Sequence, residues 1–196
     1  GEELDERGQF KNQSDEDRVR NLYMEAAHLF ECKKPIVGAI EGPAIGGGLG
    51  LAMVADFRVT CPEARFSANF TRLGFHPGFG LTETLPAVVG QQNANLIFLT
   101  SRRFNGEEAY AMGLADILVA QKEVRTVARS LAGEIAENSP LGTVETRATM
   151  RNGIGERVRA ATARELEIQT RLKATADFKE GVRAMSERRL PNFSGI

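Results

Sequence analysis

Residues 42–57 read GPAIGGGLGLAMVADF, with five glycines in the first nine positions. A short buried strand is predicted just before the glycines, in PIVGAIEG (35–42), because β-branched residues form a brief apolar run bounded by proline and glycine. A buried helix is predicted in LGLAMVADF (49–57), which is apolar on every side, and a second strand in FRVTC (57–61). The stretch therefore predicts a strand–turn–helix–strand (βαβ) unit whose turn is the glycine run.

The spacing of the glycines excludes three common uses of a glycine-rich turn. A P-loop requires GxxxxGK[ST], and Gly48 stands where its lysine would be. A dinucleotide fingerprint requires GxGxxG, but counted from Gly46 the last glycine falls at Leu51. A nucleophile elbow requires a serine or cysteine, and this turn offers only Ile45, glycines and Leu49. The pattern argues against nucleoside triphosphates, dinucleotides and acyl-enzyme chemistry at this turn.

Backbone amides remain as the functional groups of the turn. A helix that opens near Gly47 leaves its first N–H groups without partners inside the helix. Glycine lets a ligand approach these amides closely and the helix dipole adds positive potential, so the turn suits a developing oxyanion such as a thioester enolate. The alternative is that the glycines serve only tight packing between the helix and a strand.

Length and composition predict one ordinary soluble domain. The chain has 196 residues and a formal net charge of −1, which gives no general attraction to nucleic acid. Its apolar runs are shorter than the roughly 18 residues of a membrane span, and the acidic start GEELDERGQF is unlike a signal peptide. Cys32 and Cys61 lack zinc-site spacing, so we expect two buried thiols, no metal and a cytoplasmic location.

Helical patterns dominate the rest of the chain. An amphipathic helix is predicted over 14–32, a short strand over 64–70 and an irregular loop, LGFHPGFG, over 73–80. Further helices are predicted over 82–89, 91–99, 106–112 after a start signal at Asn105, and 123–138, with a strand at 116–120. Residues 140–189 read as helices joined at SPLG, NGIG and TADF. We therefore expect an α/β body over 1–139 and a helical C-terminal region over 140–196.

Three segments carry a more specific signal. They are KKPIVGAIEGPAIGGGLGLAMVADFRVTCPEARFSANFTRLGFHPGFGLTETLPAVVG (33–90), LTSRRFNGEEAYAMGLAD (99–116) and TADFKEGVRAMSERRLPNF (175–193). In this order they resemble the crotonase (enoyl-CoA hydratase/isomerase) family. The resemblance implies an α/β fold of repeated ββα turns with a helical C-terminal trimerisation region, assembled as a homotrimer or hexamer. It also implies an acyl-CoA thioester as ligand, with coenzyme A as part of the substrate and no separate cofactor.

The same resemblance implies site residues. In the family, one of two amides that hold the thioester oxygen belongs to the glycine aligned with Gly47, which agrees with the backbone argument. We expect Gly47 to act in catalysis, and the neighbours expected to contact substrate are Ala44, Ile45, Gly46, Phe70, Pro77 and Gly78. The second amide comes, in the family, from a glycine-rich loop. GEELDERG resembles the segment just after that loop, so we expect either a fragment or a chain lacking this half of the site.

The acid and base groups depart from the family pattern. Enoyl-CoA hydratases carry catalytic glutamates at the places of Gly50 and Phe70, and several isomerases and dehalogenases carry an aspartate at the place of Gly78. None of these three residues can transfer a proton. His76 is the remaining titratable candidate, with an unperturbed pKa of about 6.5; alternatively it is a hydrogen-bonded loop histidine. Glu83 reads as a charge at a helix N-terminus rather than as a catalytic group.

These features lead to one main hypothesis and two alternatives. The main hypothesis is an acyl-CoA-processing enzyme of hydratase/isomerase type, with Gly47 polarising the thioester and His76 as candidate acid or base. The alternatives are a non-catalytic acyl-CoA-binding protein and a structural subunit of a larger oligomer. The resemblance makes Lys173, Lys179, Arg188 and Arg189 candidates for binding CoA phosphates, against the alternative of a solvated helix face. The acyl group and the reaction are not specified by the sequence.

Overall fold

A computed structural model describes residues 22–196 of the chain. The strands are β1 (Val37–Ile40), β2 (Pro43–Ile45), β3 (Phe57–Thr60), β4 (Arg65–Ser67), β5 (Phe104–Asn105) and β6 (Ile117–Leu118). The helices are α1 (22–27), α2 (Gly47–Ala52), α3 (Leu81–Thr100), α4 (Gly106–Ala111), α5 (Val124–Ala136), α6 (Pro140–Met150), α7 (Ile154–Lys173) and α8 (Ala176–Ser186). The first part of the helix predicted over 14–32 lies outside the described residues.

The strands form two small sheets. One has the order β1-β3-β6 and is parallel throughout, with Val37 opposite Phe57 and Val59 opposite Ile117. The other has the order β2-β4-β5, with β2 parallel to β4 and β5 antiparallel to β4. The chain therefore moves from one sheet to the other between β1 and β2, immediately before the glycine turn.

The predicted βαβ unit is confirmed in its main feature and corrected in its details. β1 and β3 pair in parallel, and α2 lies between them in the chain. The segment between them also contributes β2, a separate strand that the sequence pattern did not predict because it has only three residues. Helix α2 ends at Ala52, short of the predicted Phe57, and Leu51 is exposed rather than buried.

The long helices agree with the predicted breaks. Gly90 has φ 76° and interrupts α3 between the two helices predicted there. Helices α6, α7 and α8 begin within the predicted joints SPLG, NGIG and TADF, respectively. Ser139 accepts a hydrogen bond from Gly142 N–H, and Thr175 accepts one from Phe178 N–H, as N-caps do. The C-terminal region is therefore a set of separate helices, as expected.

Two hydrophobic clusters form the interior. The larger one fills the space between the sheets and helices α2 to α5, with Leu49, Phe66, Leu81, Leu85 and Ile97 fully buried. The smaller one joins α1 to the loop before α3 and to α7; its buried members are Ala26, Ala27, Phe30, Val54, Phe79 and Val158. Tyr23 packs against this smaller cluster. Helix α7 also packs along α3, so the C-terminal region contacts the α/β body within one chain.

Asp56 ties α6 to the α2–β3 connection. Its carboxylate accepts hydrogen bonds from Ile36 N–H at 2.8 Å, Arg147 Nε at 2.8 Å and Arg151 Nη1 at 2.6 Å. Burial acts to raise the pKa of Asp56, but the hydrogen bonds from Arg147, Ile36 and Arg151 outweigh it and lower the pKa. The ionised carboxylate is therefore part of the folded structure.

The prediction of two buried thiols is wrong for one of them. Cys61 is buried, and burial raises the pKa of its thiol. Cys32 is exposed because the first helix ends in a 3₁₀ turn at Glu31, so that Cys32 begins the surface connection to β1. Within residues 22–196 no helix is long and apolar enough to cross a membrane, and no group of three or more His, Cys, Asp or Glu side chains could hold a metal.

Candidate functional site

The glycine turn presents a backbone amide that has no hydrogen-bond partner within residues 22–196. Gly46 caps α2 with φ 55° and ψ −118°, a backbone conformation that residues with a Cβ strongly disfavour. Its N–H donates to the Ser67 carbonyl at 2.9 Å, which fixes the turn to β4. No hydrogen bond joins Gly47 N–H to another described residue. The sequence predicts that this turn suits an oxyanion. Since α2 has only six residues, we attribute that predicted property to the Gly47 amide rather than to a helix dipole.

Tyr23 on α1 lies next to Gly47. Glycine has no Cβ atom, but a Cβ built on the Gly47 backbone would lie 3.7 Å from the Tyr23 hydroxyl oxygen and 3.9 Å from Tyr23 Cε1. The ring meets Phe79 edge to face, with ring centroids 5.6 Å apart. Burial, and then the negative charge of Glu165, raise the pKa of Tyr23. The helical pattern indicated only an apolar stripe here, whereas the structure places the half-buried phenol at the glycine turn.

Apolar side chains occupy the space around Gly50 and Phe70. A Cβ at Gly50 would lie 2.6 Å from the Cβ, Cγ and Cδ1 atoms of Phe79. Phe79 is buried and has φ 66°, a strained conformation for a residue with a side chain. Phe70 is buried as well, and its Cζ would lie 3.7 Å from a Cβ at Gly46. The structure therefore places Phe70 against the glycine turn, as an apolar wall.

The loop before α3 brings the other predicted residues together. His76 Nδ1 lies 2.8 Å from the Pro77 carbonyl oxygen. Because a carbonyl can only accept, Nδ1 carries the proton in this hydrogen bond, and Nε2 of the neutral ring is left as a base. Pro77 and Gly78 are buried, and a Cβ at Gly78 would lie 2.5 Å from Tyr23 Cε2 and 2.6 Å from Gln169 Nε2.

Helix α7 holds this loop in place from the other side. Glu165 accepts hydrogen bonds from Gly80 N–H at 2.7 Å, Thr82 N–H at 2.9 Å and Thr82 Oγ1 at 2.6 Å. Gln169 Nε2 donates to the His76 carbonyl at 2.8 Å, and the side chains of Gln169 and Glu165 are almost fully buried. Sequence reasoning missed both residues. The only available signal was their spacing from Val158 and Thr162, which puts all four on one face of α7.

A basic cavity adjoins the turn on the side of Ile45. It has a volume of about 880 Å³ and is lined by Ile45, Asn69 and other residues, among them five arginines: Arg72, Arg102, Arg103, Arg188 and Arg189. Among residues 22–196 the lining includes no aspartate or glutamate, although Arg189 is paired with Glu180 and Glu187. Asn69 Oδ1 would lie 3.4 Å from a Cβ at Gly46, so the cavity reaches the glycine turn. Lys173 and Lys179 are not among the lining residues.

The predicted site residues therefore fall into one neighbourhood. Ala44 and Ile45 come from β2, Gly46 and Gly47 from the turn, Phe70 from the segment after β4, and Pro77 and Gly78 from the loop before α3. Ala44 itself is buried in the larger hydrophobic cluster. Tyr23 spans from Gly47 to Gly78. A model of a known family, described as enoyl-CoA hydratase/isomerase, matches residues 1–195.

The chain belongs to the enoyl-CoA hydratase/isomerase family. It is 34% identical over 161 residues to crotonyl-CoA hydratase of Syntrophomonas wolfei, an alignment that covers 82% of this chain and 62% of that protein. It is 33% identical over 171 residues to carnitinyl-CoA dehydratase of Proteus mirabilis, an alignment that covers 85% of this chain and 66% of that protein. The chain thus spans just under two thirds of the length of these relatives.

Solved structures of this enoyl-CoA hydratase/isomerase family share the fold. An enoyl-CoA hydratase/isomerase from Pseudoalteromonas atlantica superposes with a TM-score of 0.79 at 33% identity, covering 86% of this chain and 68% of that one. An enoyl-CoA hydratase from Mycobacterium avium subsp. paratuberculosis gives a TM-score of 0.83 at 25% identity, and the superposition covers 94% of this chain and 76% of that one. The predicted α/β crotonase fold with C-terminal helices is confirmed; the domain boundary at 139/140 and the trimerisation role stay predictions.

Proposed function

We propose that this protein acts on acyl-CoA thioesters as an enzyme of enoyl-CoA hydratase/isomerase type, stabilising a thioester enolate at Gly47 N–H. The observation that carries the proposal is the Gly47 amide, which has no hydrogen-bond partner in the described part of the chain and is held by the constrained Gly46 and the hydrogen bond from Gly46 N–H to the Ser67 carbonyl. An amide fixed in advance stabilises the charge that develops on the thioester oxygen more than it stabilises the neutral ground state. Membership of the family supports the choice of a CoA thioester.

The acid/base chemistry of this enzyme differs from that of a two-glutamate hydratase. The places of the two glutamates hold Gly50 and Phe70, and the space at Gly50 is filled by Phe79. We propose His76 as a candidate base, because its Nδ1 is engaged with the Pro77 carbonyl and Nε2 is the ring nitrogen left to exchange a proton. The exact reaction, hydration or isomerisation, and the acyl group are to be identified by assays with CoA esters.

Coenzyme A is proposed to bind as part of the substrate, with its phosphates toward the basic cavity. Four of the five arginines, Arg72, Arg102, Arg103 and Arg188, have no carboxylate partner among the described residues. A cavity lined by one sign of charge concentrates a ligand of the opposite sign. Phosphate groups fit guanidinium donors well. No other cofactor is part of the proposal.

A homotrimer or hexamer is proposed as the assembly. Helix α6 exposes Leu141 and Met150, which are 79% and 83% accessible in the single chain. Apolar side chains this exposed are common at contacts between subunits. Light scattering of the purified chain is expected to give three or six times the chain mass, and a monomer at all concentrations would contradict the proposal.

The second candidate function is an acyl-CoA-binding protein without turnover. The observation that favours it is the apolar filling at Gly50 and Phe70, which leaves two places without proton-transferring groups. A panel of enoyl-, 3-hydroxyacyl- and aryl-CoA esters with mass detection distinguishes the two functions. Conversion of at least one ester supports the enzyme, and binding without conversion of any ester supports the alternative.

Gly47→Pro tests the oxyanion role directly. Proline removes the amide proton but is well tolerated at the first position of a helix. Gly48→Ala is the control in the same turn, because Gly48 is exposed and nothing lies within 4 Å of a Cβ built there. Turnover is expected to fall by about 10²-fold or more in Gly47→Pro, with normal folding by circular dichroism, and to change little in Gly48→Ala. Equal rates in both variants would refute the role of the Gly47 amide.

His76→Gln tests the candidate base. Glutamine keeps a hydrogen-bonding side chain but cannot exchange a proton near neutral pH. If His76 is the base, kcat is expected to fall by about 10²-fold. A rate equal to that of the unmodified chain would remove His76 from the mechanism.

A further inference from the structure

Tyr23 is the side chain that borders Gly47 among the described residues. The described side-chain atoms within 4 Å of a Cβ at Gly47 are the hydroxyl oxygen and Cε1 of Tyr23. The other edge of the same ring, at Cε2, would touch a Cβ at Gly78. The Cβ position and the amide nitrogen of Gly47 are both bonded to the same Cα, so the Tyr23 hydroxyl lies within one residue's reach of a thioester oxygen bound to Gly47 N–H at about 2.9 Å.

The residues around the phenol hold its ring in one place. Phe79 packs edge to face against it, and the packing of Tyr23 against the smaller hydrophobic cluster fixes its position on α1. Gln169 Nε2 borders the same glycine as the ring, at Gly78. The Gln169 Oε1 atom is buried without a hydrogen-bond partner among the described residues, so the side chain next to the phenol carries an unsatisfied polar atom.

The surroundings also keep the phenol protonated. Burial and the charge of Glu165 both raise the pKa of Tyr23, so at neutral pH the hydroxyl is a proton donor and not a phenolate base. Glu165 is itself fully occupied by the amides of Gly80 and Thr82 and by the Thr82 hydroxyl. The loop before α3 also contains the titratable side chain of His76, whose Nδ1 is turned to the Pro77 carbonyl.

We propose that Tyr23 is a catalytic residue that donates its hydroxyl proton to the α-carbon of the thioester enolate held at Gly47 N–H. This assignment rests on the proposed function. In the hydration direction, water adds to the β-carbon, the α-carbon–hydrogen bond forms and the Tyr23 O–H bond breaks. The proton released by the adding water, taken up by the candidate base His76, then returns to the phenolate, so that one water is added in all and both groups are regenerated. The dehydration direction is the reverse of these steps.

Tyr23→Phe tests the assignment by removing one oxygen atom. The chain offers a matched control, since its other tyrosine, Tyr110, lies on α4 and is half exposed. With the CoA ester that the unmodified chain converts fastest, kcat is expected to fall by about 10²- to 10⁴-fold in Tyr23→Phe, with the Kd for that ester changed by less than about three-fold. Tyr110→Phe is expected to match the unmodified chain in both.

A second measurement does not depend on the stability of the variant. Reaction in D2O with the unmodified chain is expected to place deuterium on one face of the α-carbon, as seen by NMR of the product. Residual turnover by Tyr23→Phe is expected to lose this selectivity, because solvent then protonates either face. An unchanged kcat in Tyr23→Phe, or full selectivity in its product, would overturn the assignment while leaving the proposed function standing. Absence of turnover by the unmodified chain with every ester would overturn both.

Discussion

Gly50→Ala is expected to destabilise the protein although it adds only one methyl group to a helix. The new Cβ would lie 2.6 Å from three atoms of Phe79, whereas carbon atoms pack at roughly 3.5–4.0 Å. Phe79 would have to move by about 1 Å. The ring is buried against Val54, Val158 and Tyr23, and its backbone is already strained at φ 66°. Overpacking of this kind costs about 1–3 kcal/mol.

Gly48→Ala provides the matched control in the same helix. Gly48 is exposed, and nothing lies within 4 Å of a Cβ built there. Replacing glycine by alanine at a compatible helical position stabilises by about 0.4–1 kcal/mol, because the unfolded chain loses freedom. The same gain applies to Gly50, so the difference between the two variants isolates the contact with Phe79. We expect Gly50→Ala to be less stable than Gly48→Ala by about 1–3 kcal/mol.

Urea unfolding followed by circular dichroism measures this difference from the midpoints at equal m values. The double variant Gly50→Ala/Phe79→Ala adds a second check. Removal of the ring makes room for the methyl group, so the double variant is expected to be more stable than the sum of the single effects by about 1–3 kcal/mol. Stabilities of Gly48→Ala and Gly50→Ala that agree within about 0.5 kcal/mol would refute the reasoning.

Three further outcomes are expected. Asp56→Asn should lower the free energy of unfolding by at least about 2 kcal/mol at pH 7, because it leaves Arg147 without its charge partner. Since the folded pKa of Asp56 is lowered, that difference should shrink as the pH falls below about 4, in pH-dependent urea titrations. Gln169→Leu should cost about 1–3 kcal/mol by leaving the His76 carbonyl unpaired, as measured by thermal unfolding. Arg102→Gln should weaken CoA-ester binding about two- to five-fold in calorimetry at low salt and have no effect at about 1 M salt.

Structural features that depend on residues close together in the chain could be predicted from the sequence. The start signal at Asn105 is one case: its side chain accepts from Glu108 N–H, and the Glu108 carboxylate accepts from Asn105 N–H, both at 2.8 Å. The glycine turn is another case, because the backbone conformation at position 46 strongly favours glycine, so the glycine in the sequence predicts the turn. Both features involve residues at most three apart.

Contacts between distant parts of the chain could not be predicted in the same way. Glu165 reaches Gly80 across 85 positions, and Gln169 reaches the His76 carbonyl across 93. In the sequence these side chains look like ordinary polar residues of a charged helix, since a 3.6-residue pattern shows that they share a face but not what that face meets. For the same reason the pattern shows Tyr23 only as one more apolar position. The second sheet was missed because β2 and β5 are too short to show a pattern.

The family resemblance implies carboxylates at the places of Gly50 and Gly78, and in this structure neither place is empty. The space at Gly50 is taken by Phe79, and the space at Gly78 is taken by Tyr23 and Gln169. A carboxylate at position 50 or 78 would therefore collide with a side chain that another element supplies, so restoring it alone cannot restore a two-carboxylate site. Because Tyr23 touches Phe79 and borders both Gly47 and Gly78, the two fillings meet at one phenol. In the proposed mechanism this hydroxyl group supplies the proton, and the Phe79 ring packed against it holds it in position.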